Sequence, residues 1–122
     1  AQVTAMLDAL PWKNADIAEF LGCYLTEPKP QIFFDPPRRP LSAARFAGAA
    51  RQGVQLDARS QLLWQGGRLY MNGESRQPDA SDLAWFIALA DRRRAQLAQS
   101  LSASGQALLY EWYCAGYLHP QT

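Results

Sequence analysis

Apolar positions along the chain switch period twice, and each switch marks a change of element. Val3, Met6, Leu7 and Leu10 recur at the spacing of one helix face, and Pro11 ends that segment by removing a backbone donor. Asn14 predicts the cap of a second helix with Ile17, Phe20, Leu21, Tyr24 and Leu25 on one side. Together these make an N-terminal helical hairpin whose apolar stripes need a partner. A third helix is predicted over Leu41–Gln52, with Ser42 near its start and Gly53 at its end. The period then falls from 3.6 to 2. Val54 with Leu56, Leu62 with Trp64, and Leu69 with Met71 alternate with polar neighbours as half-buried strands do. Asp57–Ser60 supplies the first turn and Gly66-Gly67 the second, while Asn72-Gly73 marks the exit, so the three strands form an antiparallel meander. Asp79 or Ser81 then caps a helix bearing Leu83, Phe86, Ile87 and Ala90, which runs to Arg92-Arg93-Arg94. Ser102 or Ser104 caps a last helix with Leu108, Trp112 and Ala115 on its face and Leu109 and Tyr113 beside them. Gly116 ends that helix, and Tyr117-Leu118-His119-Pro120 closes the chain.

Between hairpin and third helix, residues 26–40 hold five of the eight prolines, which excludes a helix there. An extended connector is expected, anchored on the fold by Ile32, Phe33 and Phe34; the rival is a proline-rich recognition motif. Helices on one face of a small antiparallel sheet define an α+β class, and a winged-helix-like domain is the nearest architecture. The expected division is residues 1–37 as hairpin and connector and residues 38–122 as the winged-helix-like domain.

Composition narrows the function. A chain of 122 residues suits a single domain with its own core. Twelve basic against eleven acidic residues leave a formal charge of +1, without the basic surplus of a dedicated nucleic-acid binder or a polybasic membrane patch. No apolar run approaches the ~18 residues of a spanning helix. Cys23 and Cys114 sit far apart inside apolar patterns and read as two buried, reduced thiols of a cytoplasmic protein. The opening Ala1-Gln2-Val3, already helical in pattern and without an initiator Met, reads as a piece cut from something longer.

Candidate chemistry is sparse. Zinc sites need three or four His, Cys or carboxylate ligands, and non-haem iron needs two His with a carboxylate; here His119 is the only histidine. A Ser or Cys nucleophile lacks any other imidazole base. No glycine-rich phosphate loop opens a helix. Asp79 with Asp82, or Glu74 alone, could serve acid–base work, but capping explains the aspartates more simply. The expectation is no catalytic residue and no metal ligand. The candidate interaction residues are Arg38, Arg39, Arg92, Arg93 and Arg94. Arg38-Arg39 reads as a solvated pair or a phosphate clamp. Arg92–Arg94 reads as three cations at the negative end of a helix or as a nucleic-acid contact.

Several segments together resemble one family. Phe20-Leu21-Gly22-Cys23-Tyr24-Leu25-Thr26-Glu27-Pro28-Lys29-Pro30, followed by Phe33-Phe34-Asp35-Pro36-Pro37, resembles the stretch after the catalytic barrel in bacterial JmjC/cupin-type ribosomal-protein hydroxylases. Gly66-Gly67-Arg68-Leu69-Tyr70-Met71-Asn72-Gly73-Glu74-Ser75 resembles the hairpin and exit turn of their C-terminal winged helix. Leu108-Leu109-Tyr110-Glu111-Trp112-Tyr113 and Gly116-Tyr117-Leu118 resemble its closing helix. The resemblance implies a parent oxygenase, dependent on Fe(II) and 2-oxoglutarate, that hydroxylates an arginine of a large-subunit ribosomal protein. It implies an iron site of the form His-x-Asp…His in an upstream cupin barrel, none of which maps onto this sequence. It implies a homodimer joined through a helical region, whose end would be residues 1–30. The expected partners are the parent's barrel, a second copy and the ribosomal substrate, with neither nucleic acid nor membrane among them. The alternative is a free-standing winged-helix module that binds nucleic acid through the five arginines, or a plain interaction module built on the hairpin.

Overall fold

A computed structural model describes residues 15–121. The first predicted helix, with Val3, Met6, Leu7 and Leu10, and the Asn14 cap lie outside the described residues, so the second half of the hairpin is what the structure describes. Helix α1 spans Ala15–Thr26, and a proline-rich stretch without helix or strand leads to α2, Ala43–Gln52. Strands β1 (Val54–Leu56), β2 (Leu62–Gln65), β3 (Arg68–Met71) and β4 (Glu74–Arg76) follow. A short 3-10 turn at Ala80–Asp82 leads into α3, Leu83–Arg92, and then β5, Arg94–Ala95. Helix α4, Ala103–Cys114, and β6, Leu118–Pro120, complete the chain.

Two three-stranded antiparallel sheets replace the single expected meander: one ordered β5-β1-β6, the other β2-β3-β4. Val54–Leu56 pairs with Arg94–Ala95 and Leu118–Pro120, not with the next strand in sequence. Its partners are too short and too polar to carry a period-2 signal. The meander gains its third strand from Glu74–Arg76, because Asn72-Gly73 is a hairpin turn and not an exit. Asn72 (φ 50) and Gly73 (φ 91) both take positive φ, as do Gly66 (φ 57) and Gly67 (φ 79). That pair of conformations matches the right-handed twist of the strands on either side. The register is Gln65↔Arg68 across the first turn and Met71↔Glu74 across the second.

The core lies between β1, the inner faces of both sheets and the helices α2, α3 and α4. Phe46, Ala50, Val54, Leu56, Leu69, Met71, Phe86, Leu89, Leu109, Trp112 and Leu118 are all buried in one cluster. Phe86 meets Trp112 edge to face at 5.6 Å, and Phe46 stacks on Tyr113 at 4.6 Å, geometries that aromatic quadrupoles favour. Tyr113 also accepts a hydrogen bond from the Leu41 N–H (2.9 Å), and Tyr110 donates to the Leu41 carbonyl (2.7 Å). These two phenols satisfy the backbone just before α2, where no ladder is present to do so.

Capping follows the sequence at two helices and departs from it at a third. The Ser42 hydroxyl accepts from the Arg45 N–H and Ser102 from the Gly105 N–H, each meeting an orphan donor of a first turn. Neither Asp79 nor Ser81 caps α3. The 3-10 turn takes up that entry, and the carboxylate of Asp82, almost fully buried, accepts instead from the N–H (2.9 Å) and hydroxyl of Ser102. Asp82 thus joins the start of α3 to the start of α4. At the other end of α3, only Arg92 lies in the last turn. Arg93 is the left-handed C-cap (φ 63) and Arg94 is already in β5, so the three arginines do not act together on the helix dipole.

Helix α1 packs against the β2-β3-β4 sheet. Gly22 lies flat on the ring of Tyr70, where an added Cβ would fall 2.6 Å from ring atoms. Thr26, buried at the helix end, donates to the Gly22 carbonyl (2.9 Å) and accepts from the Gly73 N–H (2.9 Å). In the connector, Phe34 alone of the expected trio anchors firmly, edge-on to Tyr117 at 4.9 Å. Ile32 is half-buried, and Phe33 is 74% exposed. Gly22→Ala should destabilise the chain by roughly 1–3 kcal/mol through overpacking against Tyr70. A lower urea midpoint with unchanged m-value is the expected readout; an unchanged midpoint would show that α1 is not seated on the sheet.

Candidate functional site

The densest polar cluster forms where the chain leaves β1. Asp57 is 7% exposed, and its carboxylate accepts from Arg59 twice: Nε to Oδ1 at 2.7 Å and a terminal nitrogen to Oδ2 at 2.9 Å. The Arg59 backbone N–H adds a third bond to Oδ1 (2.9 Å), closing an Asx-type turn. His119 on β6 reaches Oδ2 from the other side, Nε2 at 2.8 Å. The other terminal nitrogen of Arg59 donates to the Phe33 carbonyl (2.6 Å) and approaches Asp35 at 3.4 Å, while the guanidinium lies 5.7 Å from the Phe34 ring centre. A single bidentate pair therefore links β1, β6 and the connector. The turn after α4 receives the same connector: a Cβ on Gly116 (φ 83) would fall 2.8 Å from the Asp35 carbonyl carbon.

Electrostatics follow from this geometry. The Arg59 side-chain bonds hold the Asp57 carboxyl far below the ordinary carboxylate range; burial opposes them, and His119 and the Arg59 N–H add to them. The Arg59 guanidinium is pushed up in return, chiefly by its bond to Asp57. Of this cluster, sequence reasoning found only the turn. His119 stands in the sequence only as the single histidine, and the signal for its contact is its register, opposite Gln55 and diagonal to Asp57.

The expected arginines do not converge on one surface feature. Arg38 and Arg39 are exposed in the connector. Arg92 ends α3, and Arg94 stands opposite Gln55 on β5. Arg93 is exposed as well, and it donates to the carbonyls of Asp57 (2.8 Å) and Ser60 (2.9 Å). Cys23 and Cys114 are free and half-buried. Among the described residues no three His, Cys, Asp or Glu side chains gather as a metal ion requires. With one histidine in the chain, bound to Asp57, the residues present do not fit an Fe(II)/2-oxoglutarate centre. Among the described residues no helix is long and apolar enough to cross a membrane.

A second feature is apolar. Phe20 and Tyr24, one turn apart on α1, stack with centroids 6.3 Å apart and are 67% and 64% exposed. The sequence places both on the buried face of the helix. The structure instead turns Gly22 and Thr26 inward, since only small side chains allow the close approach to Tyr70 and the Gly73 turn.

Helices packed around two small antiparallel sheets, with β2-β3-β4 as the wing, make this an α+β winged-helix domain. Residues 9–119 match the ROXA-like winged helix, and the chain belongs to that family. No curated protein matches the chain in sequence. Among solved structures, YcfD, a ribosomal oxygenase from Escherichia coli, in complex with cobalt and 2-oxoglutarate superposes with a TM-score of 0.71 at 21% identity. That match covers 93% of this chain and 32% of the oxygenase. A second structure of YcfD, the ribosomal oxygenase from Escherichia coli, matches with a TM-score of 0.70 at 21% identity, over 96% of this chain and 33% of that one. The complex of YcfD with cobalt and succinic acid gives 0.70 at 21%, over 93% and 32%. At this identity the likeness shows the fold, and the chain spans about a third of the oxygenases it matches.

The Asp57 carboxyl gives a test of the cluster. A carboxyl depressed in the folded state contributes stability that is present above its unfolded pKa, near 3.9, and is lost as pH falls. Asp57→Asn should cost roughly 1–2 kcal/mol above pH ~5, and the gap to wild type should close as pH drops below ~4. Urea midpoints of both proteins across that range are the measurement; a constant gap would remove the pair from the stability account.

Proposed function

We propose that this chain is the non-catalytic C-terminal region of an Fe(II)- and 2-oxoglutarate-dependent cupin/JmjC oxygenase. That oxygenase hydroxylates a large-subunit ribosomal protein, and the region serves its assembly or the seating of its substrate. The match of residues 9–119 to the ROXA-like winged helix carries this reading, supported by the likeness to a ribosomal oxygenase three times as long. On this reading residues 1–37 close a dimerisation region and residues 38–122 form the accessory domain. The parent is a cytoplasmic homodimer whose His-x-Asp…His barrel precedes Ala1. The exposed rings of Phe20, Tyr24 and Phe33 fit such a region, since apolar surface of this kind marks contact with another body.

The test is made on the parent gene. Deleting it should remove one added oxygen atom from an arginine of a large-subunit ribosomal protein, read by mass spectrometry of ribosomal digests. Restoring the parent without these 122 residues should lower kcat/KM for that protein about tenfold, close to 1.4 kcal/mol of transition-state stabilisation. A parent reading frame with no His-x-Asp…His barrel, or a deletion that leaves the ribosomal proteins unchanged in mass, overturns the reading.

A further inference from the structure

The outer face of the β5-β1-β6 sheet carries a row of polar side chains. Gln55, at the centre of β1, stands opposite Arg94 on one side and His119 on the other. Side chains directly opposite on neighbouring strands lie about 5 Å apart at Cβ, so a cation, an amide and an imidazole form one line across three strands. Of the five candidate arginines only Arg94 stands in this row. A cleft of about 750 Å³ opens beside it, lined by Gln52, Gln55, His119, Pro120 and Gln121. Gln121 is held there twice. Its N–H donates to the Gly53 carbonyl (2.8 Å), and its side chain lies over Gly53, where any Cβ would collide with the amide oxygen. His119 is fixed as well, since Nε2 is bound to the Asp57 carboxylate (2.8 Å). These groups are otherwise unspent. Among the described residues the amides of Gln52, Gln55 and Gln121 make no hydrogen bond and Arg94 no ion pair, whereas Arg59, Arg68 and Arg76 each have one. No carboxylate lines the cleft, and the one that touches a lining residue, Asp57, is neutralised by the fork of Arg59. The formal charge of +1 is thus an average over unlike faces, with Glu19, Glu27 and Glu74 gathered at α1 and the wing.

We propose that this cleft binds single-stranded nucleic acid, with one unstacked base on the amides and a phosphate on Arg94. A carboxamide donates and accepts in one plane, as the edge of a base requires. A bare phosphate or a carboxylate only accepts, and would leave half of that capacity unused. The rings of His119 and Pro120 offer flat surface to the face of a base. Shape excludes a duplex, whose base edges lie inside grooves that a row on the face of a sheet does not enter. An acidic peptide would engage Arg94 and leave the amides unmatched. The inference does not require the oxygenase reading, since it concerns this chain's own surface.

The experiment uses the 122-residue chain and a labelled single-stranded deoxyadenylate dodecamer, followed by fluorescence anisotropy at several salt concentrations. Adenine is chosen because a glutamine amide can pair with it through two hydrogen bonds. An abasic strand of the same length, a duplex and an alternating Glu-Ser peptide serve as competitors. The adenylate strand should bind, and none of the three should displace it at equal concentration. Gln55→Val should weaken binding about fivefold and leave its salt dependence unchanged. Arg94→Gln should weaken it too, and should lower the slope of log affinity against log salt by about 0.7, the share of one phosphate contact on a single strand. Both positions are exposed, and circular dichroism confirms that each variant is folded. Lys29→Gln, which removes one charge from the connector, should change neither affinity nor slope. Failure of the adenylate strand to bind, or equal competition by the abasic strand, the duplex or the acidic peptide, overturns the proposal. So does affinity left unchanged by either Gln55→Val or Arg94→Gln.

Discussion

One carboxylate decides how the pieces of this domain meet. Asp57 stands at the end of β1, the central strand of its sheet, and cannot be buried there as a charge without partners. It finds them on two segments, one in its own turn and one distant in sequence: the Arg59 side chain and backbone, and His119 on β6. Arg59 has donors to spare and uses them on the connector at the Phe33 carbonyl and Asp35. Arg93 completes the junction by donating to the carbonyls of Asp57, which also accepts from the Ser60 N–H, and of Ser60. The position of the connector is thus a consequence of neutralising one buried charge.

From that junction the two sheets are tied to each other by amides and not by strand pairing. The Asn72 side chain accepts from the Gln61 N–H (2.8 Å) and donates to the Ser60 hydroxyl (3.2 Å), and Ser60 passes its own proton to the Tyr117 carbonyl (2.7 Å). The wing therefore takes its orientation from the same turn that holds the connector. Helix α1 then rests on the wing through Gly22 and Thr26, so its outward face is determined by which residues are small enough to face in.

Much of this was legible in the sequence, for reasons that also explain the rest. Helices α2 and α4 announce themselves through Ser42, Gly53, Ser102 and an apolar period, because capping and amphipathicity are local properties. The glycines of the first hairpin turn are equally local. Strand pairing is not. The meander expected from Val54 onward failed because β1 pairs across more than sixty residues with Leu118–Pro120, and no local pattern reports such a partner. The expected capping by Asp79 or Ser81 gives way to a 3-10 entry, while the carboxylates of Asp79 and Asp82 accept from Ser104 and Ser102 at the start of α4. The face of α1 was misread because amphipathic periodicity counts large apolar side chains, whereas this contact selects for small ones. All five arginines are exposed, and what the sequence does not display is the pair of backbone carbonyls to which Arg93 donates.

The second hairpin turn carries a chemical consequence of its own. An asparagine followed by glycine is prone to age: the glycine nitrogen attacks the side-chain carbonyl carbon, ammonia leaves, and the resulting ring opens to aspartate or isoaspartate. Here both reacting groups are occupied. The Asn72 amide is buried and hydrogen-bonded at its oxygen and its nitrogen, and the Gly73 N–H is held by Thr26. Ring closure has to wait until α1 lifts and the turn opens. The fraction of isoaspartate at position 72 in a stored sample is therefore a covalent record of how long that helix has spent detached from the wing.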